Sequence, residues 1–174
     1  MIRLVLNDEH LASALGEALT ACRHRLLIAT ADVKDLHIPQ ARGRSRSILE
    51  VFEGLSSRGV EIRLLHSSVP SGPFLARLKE GVPRGLAMRR CVRIHAKAVI
   101  ADGRWMYLGS ANLTGAGLGA KGAGRRNFEA GIWTDDLALI DPVLDMLQTI
   151  WDGTQCRSCG RKENCPVPLE EPRL

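Results

Sequence analysis

The sequence lacks a long hydrophobic run, an evident secretory leader and an even number of cysteines. No apolar stretch approaches the roughly 20 residues that a membrane-spanning helix requires, so we expect no membrane association. The opening segment, MIRLVLNDEH, has no long apolar region followed by small residues, and we therefore expect a cytoplasmic protein. Five cysteines in a reducing compartment argue against a disulfide framework.

The composition is typical of one soluble domain. Of the 174 residues, 45% are hydrophobic and 25% are charged, which excludes a disordered or fibrous chain. Lysine and arginine number 24 against 19 aspartates and glutamates, giving a net charge of +5. This excess favours a polyanionic partner such as nucleic acid, although many basic cytosolic enzymes bind none.

Apolar spacing predicts an α/β fold. A period near 3.6 residues indicates helices over about 8–22, 48–55 and 70–79, with a last helix beginning at Asp141. Short apolar or alternating runs indicate strands over 26–30, 60–64, 90–101, 105–108 and 128–133, and the polar stretch 32–47 is predicted to be a loop. A strand, a crossover helix and a second strand form a parallel unit. The expected fold is therefore a mixed, largely parallel β-sheet flanked by helices on both faces.

The strongest candidates for catalytic residues form the motif H-x-K-x4-D, which consists of His95, Lys97 and Asp102. On a strand, side chains two residues apart project from the same face, so His95 and Lys97 are predicted to be neighbours. An imidazole beside an ammonium suits a phosphate group, because the lysine neutralises the phosphate oxygens while the histidine attacks phosphorus. Asp102 has the opposite parity and lies at a turn, so we expect it to be structural.

Three further polar residues complete this candidate site. Ser110 and Asn112, also two apart, follow the next strand and can donate hydrogen bonds to phosphate oxygens. Glu129 is positioned to accept a hydrogen bond from the second ring nitrogen of His95, which would fix the histidine tautomer. Each of these residues taken alone is typical of ordinary strands and turns; their order and spacing are what indicate a site.

The motif, followed by Gly109-Ser-Ala-Asn112, resembles the signature of the phospholipase D superfamily. The similarity covers about residues 5–152 and implies a metal-independent phosphodiesterase. By position, His95 would be the nucleophile that forms a phosphohistidine, and Lys97, Ser110 and Asn112 would bind phosphate. Asp102 completes the signature, and Glu129 would orient His95.

The chain carries one signature, which resembles the short bacterial nuclease branch of that superfamily. There two subunits meet at a two-fold axis, so the resemblance implies a homodimer in which the second His95 protonates the leaving oxygen. We expect a nuclease that favours DNA over RNA. The alternatives are a phosphatidyl-lipid hydrolase or transferase, and a nucleic-acid-binding subunit of a defence or repair complex with little activity.

Basic residues cluster along the chain in a way that suits a phosphate backbone. A solvated basic surface is the alternative interpretation. The predicted nucleic-acid contacts are Arg42, Arg44, Arg46, Lys121, Arg125 and Arg126, and a further group is Arg89, Arg90 and Arg93.

The last residues form a cysteine-rich tail, 153–174, which we separate from a catalytic domain at 1–152. Cys156, Cys159 and Cys165 have metal-ligand spacing. This spacing, ending in Cys-Pro, resembles the C-terminal part of four-cysteine clusters in helicase-associated and CRISPR-associated nucleases. We expect a structural [4Fe–4S] cluster, with Zn²⁺ as the alternative and unmetallated thiols as a third possibility. Cys22 is the favoured upstream ligand and Cys91 the alternative, while His24 is a further candidate ligand for zinc.

Overall fold

A computed structural model describes residues 1–39, 44–165, 169–170 and 174. Its centre is a seven-stranded sheet in the order β1-β9-β8-β7-β2-β5-β6, and a separate two-stranded hairpin pairs β3 with β4. The strands are β1 (Ile2–Leu6), β2 (Arg25–Thr30), β3 (His37–Pro39), β4 (Ser45–Ser47), β5 (Glu61–His66), β6 (Leu86–Arg90), β7 (Lys97–Ala101), β8 (Trp105–Gly109) and β9 (Ala130–Thr134).

The helices connect these strands and begin at residues that stabilise helix starts. A π-helical segment, Leu11–Glu17, runs directly into α1 (Ala18–Ala21), and α3 spans Gly72–Glu80. At the start of α2 (Ile48–Ser56), Ser47 and Glu50 exchange side chain-to-backbone hydrogen bonds in a capping box. Asp136 caps α4 (Leu137–Trp151) by accepting a hydrogen bond from the backbone N–H of Ala138 at 3.0 Å.

Helices cover both faces of the sheet, which confirms the predicted α/β class. Consecutive residues of β2 point to opposite sides, so Leu26 and Ile28 enter one core while Leu27 enters the other. The first core also holds buried side chains of the segments that form α1, α2 and α3 with their neighbours, such as Leu15, Phe52 and Phe74. The second lies under α4 and contains Ile140, Leu147 and Trp151.

Parallel pairing is confined to one half of the sheet, a smaller share than the sequence predicted. β2 pairs in parallel with β5, and β5 with β6. The other four pairings of this sheet are antiparallel. The physical reason is the connections: α2 and α3 are crossovers between parallel strands, whereas the short Asp102-Gly103 turn joins β7 to β8 as a hairpin.

The predicted strand 90–101 is in fact two strands separated by a turn at 91–96. β6 ends at Arg90 and β7 begins at Lys97, so His95 lies in the connection and not within a strand. The loop predicted at 32–47 contains the short hairpin of β3 and β4, and α4 begins before Asp141, with Pro142 inside it. Among the described residues, no helix is long and apolar enough to cross a membrane.

Candidate active site

The residues of the predicted site, with the exception of Asp102, meet at one edge of the sheet, here called the site edge. β7 begins there with Lys97, paired to Gly109 at the end of β8. Gly109 also pairs with Gly131 of β9, so Ser110 and Glu129 come from the same edge. β2, antiparallel to β7, ends nearby at Thr30. The antiparallel arrangement therefore gathers residues that are far apart in the sequence.

His95 and Lys97 are in contact, although not through the shared strand face that the sequence predicted. The Nζ of Lys97 lies 3.2 Å from both Nδ1 and Nε2 of the His95 ring. The same ammonium donates a 2.8 Å hydrogen bond to the backbone oxygen of His95. His95 itself is exposed. The lysine therefore fixes the turn that presents the imidazole to solvent.

The Lys97 ammonium is held in a partly dehydrated environment. Its side chain is among the buried charged groups, with the residue only 8% exposed. Burial lowers the pKa of Lys97, and the negative charge of Glu129 opposes this shift. A buried cation at the mouth of a site attracts an anion more strongly than a solvated one, because water screens it less. This charge is therefore well placed to bind a phosphate group.

Glu129 contacts different partners from the one that the sequence predicted. Its carboxylate accepts a hydrogen bond from the hydroxyl of Ser110 and another, at 3.0 Å, from the side-chain amide of Asn127. The Ser110 hydroxyl oxygen in turn accepts a 3.0 Å hydrogen bond from the backbone N–H of Ala130. No hydrogen bond between Glu129 and His95 occurs in the described part of the chain. Glu129 thus positions Ser110, and acts on Lys97 through charge.

Asn112 is oriented by the end of β2. Its side-chain oxygen accepts hydrogen bonds from the Thr30 hydroxyl at 3.2 Å and from the backbone N–H groups of Ala31 and Asp32 at 3.1 and 3.3 Å. Because the oxygen is engaged in this way, the NH2 group on the other side of the amide is the part that can donate hydrogen bonds. Sequence reasoning missed Thr30, whose hydroxyl is also the acceptor for Leu113 N–H at 3.0 Å. The signal in the sequence that could have identified it was a threonine at the end of an apolar strand.

Asp102 lies at the other end of β7 and does not join the candidate catalytic residues. It accepts 2.8 Å hydrogen bonds from the backbone N–H groups of Arg23, His24 and Arg25, and a weaker one from the thiol of Cys22 at 3.6 Å. Burial by itself would raise the pKa of Asp102, but these hydrogen bonds outweigh it and lower the pKa. This carboxylate therefore ties the chain segment before β2 to the β7–β8 turn.

Cys22 belongs to this structural network and does not line the cysteine-rich region. It is 1% exposed, and burial followed by the charge of Asp102 raises its pKa to about 12. The other four cysteines, Cys91, Cys156, Cys159 and Cys165, line one cavity of about 30 Å³. Burial, then the neighbouring Cys91, Cys165 and Cys159, raises the pKa of Cys156. The structure therefore brings Cys91, and not Cys22, to the three tail cysteines.

The predicted nucleic-acid contacts form two sets, one in the segment before Glu129 and one in the sequence before α2. Lys121 and Arg125 are exposed on the segment that leads to Glu129, while Arg126 pairs with Asp8 at 2.8 Å. Arg46 turns along α2, where it donates to the backbone oxygen of Glu50 at 3.2 Å. Arg44 is exposed, and Arg42 lies outside the described residues.

The arginines of β6 and the following turn have other contacts. Arg89 lies over the Trp151 ring, with its guanidinium carbon 5.2 Å from the ring centroid. Arg90 donates to the backbone oxygen of Ser67 at 3.0 Å. Arg93 Nη1 lies 3.7 Å from the sulfur of Cys159. Arg89 therefore packs against α4 and Arg93 against the tail, while the Arg90 side chain holds the segment that follows β5.

Comparison with known proteins agrees with this geometry. The family model described as "Cardiolipin synthase, PLD-like domain" matches residues 15–151, and the chain therefore belongs to this phospholipase D-like family. This membership confirms the superfamily resemblance and the class of enzyme, a hydrolase of phosphodiester bonds. The comparison with curated proteins found no match.

Solved structures share the fold at low sequence identity. NucT from Helicobacter pylori has a TM-score of 0.63 and 17% identity, over 86% of this chain and 94% of NucT. Nuc from Salmonella typhimurium, a phospholipase D family member, has a TM-score of 0.57 and 19% identity, over 87% of this chain and 94% of Nuc. The archaeal chromatin protein TrmBL2 has a TM-score of 0.53 and 14% identity, over 87% of this chain and 53% of TrmBL2.

Proposed function

We propose that this protein is a nuclease that cleaves phosphodiester bonds through a phosphohistidine intermediate, with DNA favoured over RNA. The observation that supports this most directly is the exposed His95 imidazole beside the buried Lys97 ammonium, 3.2 Å away. A phosphate oxygen bound to Lys97 would place phosphorus within reach of the ring. The donor end of Asn112 borders the same edge and supplies a further hydrogen-bond donor for the anion, while Ser110 gives its hydroxyl proton to Glu129.

The reaction proceeds in two displacements. A ring nitrogen of His95 attacks phosphorus, and an N–P bond forms as the P–O bond to the leaving alcohol breaks. A general acid gives its proton to the leaving oxygen. In the second displacement that group, now a base, takes a proton from water, and the water oxygen displaces the histidine from phosphorus. Lys97 and Asn112 stabilise the charge on the non-bridging oxygens in both transition states. No metal takes part in these steps, so a metal bound in the tail would have a structural role.

A homodimer supplies the general acid in this scheme, as His95 of the partner subunit. His66, which ends β5 at this edge, is fully buried and cannot contact substrate, and burial also lowers its pKa. Phe128, next to Glu129, is 97% exposed. An aromatic side chain exposed beside a site is typical of an interface, which would bury it. These two observations support a two-fold contact at the site edge.

Nucleic acid is favoured as substrate by charge and by the related structures. Lys121 and Arg125 are exposed on the segment that reaches Glu129, and the chain carries a net charge of +5. The structurally similar chromatin protein TrmBL2 shows a novel mode of DNA binding. The family description names cardiolipin synthase, and phosphatidyl-lipid hydrolysis or transfer is therefore the second candidate function.

The decisive experiment compares wild type, His95→Ala and the control His24→Ala, an exposed histidine at the opposite edge of the sheet. Turnover of bis(p-nitrophenyl) phosphate and of single- and double-stranded DNA is measured in excess EDTA. We expect wild type and His24→Ala to cleave, and His95→Ala to lose at least about 10³-fold in kcat, because the nucleophile is gone. An alkaline quench followed by intact mass measurement should detect the phosphohistidine only when His95 is present.

Four outcomes would contradict the proposal or its shared general acid. A folded His95→Ala protein that cleaves at nearly the wild-type rate excludes His95 as nucleophile. Hydrolysis of phosphatidylcholine or cardiolipin vesicles without DNA cleavage assigns the lipid function. Salt-sensitive DNA binding with no turnover of any substrate assigns a binding subunit. Sedimentation of the active species as a monomer would refute the shared general acid.

A further inference from the structure

Four of the five cysteines line a single cavity beside the end of β6. Cys91 comes from the turn between β6 and β7, and the other three, Cys156, Cys159 and Cys165, come from the tail. All four are partly buried. The cavity volume of about 30 Å³ exceeds the roughly 10–15 Å³ that a cavity needs to hold one water molecule, so there is room for one metal ion. We propose that Cys91, Cys156, Cys159 and Cys165 form a structural metal centre with four thiolate ligands.

The backbone holds both ends of the tail against β6. At one end, α4 finishes with the buried Trp151, and Gly153 turns the chain with a φ of +76° into the short helical turn that carries Cys156. At the other end, the backbone N–H of Leu169 donates to Arg90 at 3.1 Å, and the N–H of Arg90 donates to Glu170 at 3.2 Å. The three tail cysteines lie between these two attachments. Their position beside Cys91 therefore follows from the path of the main chain.

Cys91 is equally fixed on its side of the cavity. Its backbone N–H donates a 2.8 Å hydrogen bond to the carbonyl of His66, and its carbonyl accepts a 3.0 Å hydrogen bond from Ile94, which is buried. The turn that bears the fourth cysteine is thus anchored to the sheet. A ligand set with one member on a rigid sheet and three on a tail is well suited to docking that tail.

The tail has little else to hold it in place. Between Asp152 and Cys165 no residue is buried, and both short helical turns, Thr154–Cys156 and Lys162–Asn164, lack buried side chains. A segment without buried side chains gains little free energy to offset the loss of conformational entropy on ordering. Metal–thiolate bonds supply that free energy in small cysteine-rich segments. The three tail cysteines together with Cys91 can do so here.

Hydrogen-bond donors already surround one of the sulfurs. The sulfur of Cys159 receives the backbone N–H of Arg161 at 3.5 Å and the guanidinium of Arg93 at 3.7 Å. Lys162 also lines the cavity. N–H groups and cations directed at sulfur are what a negatively charged thiolate centre requires from its surroundings. Four thiolates on one Zn²⁺, or on a [4Fe–4S] cluster, leave such a net negative charge.

The side chains are not yet in coordinating positions. Within the described ranges, no three histidine, cysteine, aspartate or glutamate side chains stand in a geometry that holds a metal ion. Binding therefore requires rotation of cysteine side chains into the cavity, while the backbone keeps its path. Zn²⁺ would sit about 2.3 Å from each sulfur. A cluster would also displace the exposed tail outward.

The test starts from wild-type protein purified anaerobically from cells supplied with zinc and iron. Zinc, iron and acid-labile sulfide are counted per chain, and an absorption spectrum is recorded. One zinc per chain identifies a single ion, and four irons with four sulfides and absorption near about 400 nm identify a cluster. We expect Cys91→Ser and Cys159→Ser to lose most of this metal. Cys22→Ser, in which a hydroxyl replaces the thiol that donates to Asp102, should keep it.

Thiol labelling of the wild type keeps the proposal testable if the serine variants fail to fold. Alkylation of the native protein, followed by peptide mapping, should spare all four cavity cysteines until a chelator is added. Cys22 should be spared in both states, because it is buried. Absence of zinc and iron after reconstitution would overturn the proposal, as would metal that persists in Cys91→Ser or alkylation of Cys91 in the metal-loaded protein.

Discussion

Replacing Asp102 with asparagine isolates the contribution of one partly buried negative charge to the stability of this fold. Asp102 has a φ of +54°, a left-handed conformation that asparagine also tolerates, so Asp102→Asn changes the charge without straining the turn. Oδ1 accepts from the backbone of His24 and Arg25, and Oδ2 accepts from Arg23, all at 2.8 Å. In the variant, an NH2 group faces one N–H donor.

The expected loss follows from those bonds. A hydrogen bond to a charged group contributes about 1.5–3 kcal/mol, and a neutral one about 0.5–1.5 kcal/mol. Losing one charged bond and weakening the remaining two amounts to about 3.5–6 kcal/mol, and because Asp102 is only partly buried, water should offset part of this and leave a loss of about 2–4 kcal/mol in the free energy of unfolding. For a chain of this length, that corresponds to a fall in Tm of roughly 4–16 °C. Asp145→Asn, an exposed carboxylate on α4, should change stability by less than about 0.5 kcal/mol.

The effect should depend on pH in a defined direction. The pKa of Asp102 is lower in the folded protein than its ordinary value of 3.8, so the charge contributes stability above that value. This contribution is lost as the pH falls through the folded-state pKa. Calorimetry should show a difference in the free energy of unfolding between wild type and Asp102→Asn. This difference should be constant between about pH 5 and pH 7 and become smaller below pH 4.

Two results would refute this reasoning. A variant with wild-type Tm would mean that the three backbone contacts do not depend on the charge. A fully stable variant that has lost phosphodiesterase turnover would place Asp102 in the catalytic machinery, contrary to its position at the far end of β7.

Three further substitutions test the site and the fold. Asn112→Asp keeps the oriented oxygen but removes the NH2 donor, and kcat for bis(p-nitrophenyl) phosphate should fall about 10²–10³-fold; near-normal turnover would exclude Asn112 from transition-state binding. Ser47→Ala removes a capping box, and urea unfolding should show a loss of about 1 kcal/mol; no change would mean that the cap contributes nothing. Gly109→Ala places a Cβ 2.3 Å from the Tyr107 hydroxyl, so soluble yield and Tm should fall sharply; wild-type stability would refute this steric argument.

The overall class of fold could be predicted because helix periodicity and strand alternation were strong. β1 could not, because its outward side chains, Ile2, Leu4 and Leu6, are apolar and exposed, which leaves no alternation in the sequence. The break between β6 and β7 within the predicted strand 90–101 could not be predicted either, for the opposite reason. Alternation continues through Val92 and Ile94 although the chain turns there without glycine or proline.

The members of the candidate site could be named from the motif, but their contacts could not. A carboxylate such as Glu129 has several donors within reach, and only the folded strand ends place Ser110 and Asn127 nearest to it. The fourth cavity cysteine shows the same limit. Spacing alone does not distinguish Cys22 from Cys91 as the fourth cysteine. In the folded chain the Cys22 thiol is instead engaged in a hydrogen bond to Asp102.

The pairing of β1 with β9 has a consequence for synthesis of the protein. Ile2 lies opposite Thr134, and the backbone N–H of Asn7 donates to the carbonyl of Glu129 at 3.0 Å. During synthesis β1 therefore leaves the ribosome well before β9, and it cannot pair until β9 has been made. Glu129 reaches its place at the site edge at the same moment. A nascent chain thus carries His95 and Lys97 well before Glu129 joins them, so the candidate site is complete only after β9 has been added to the sheet.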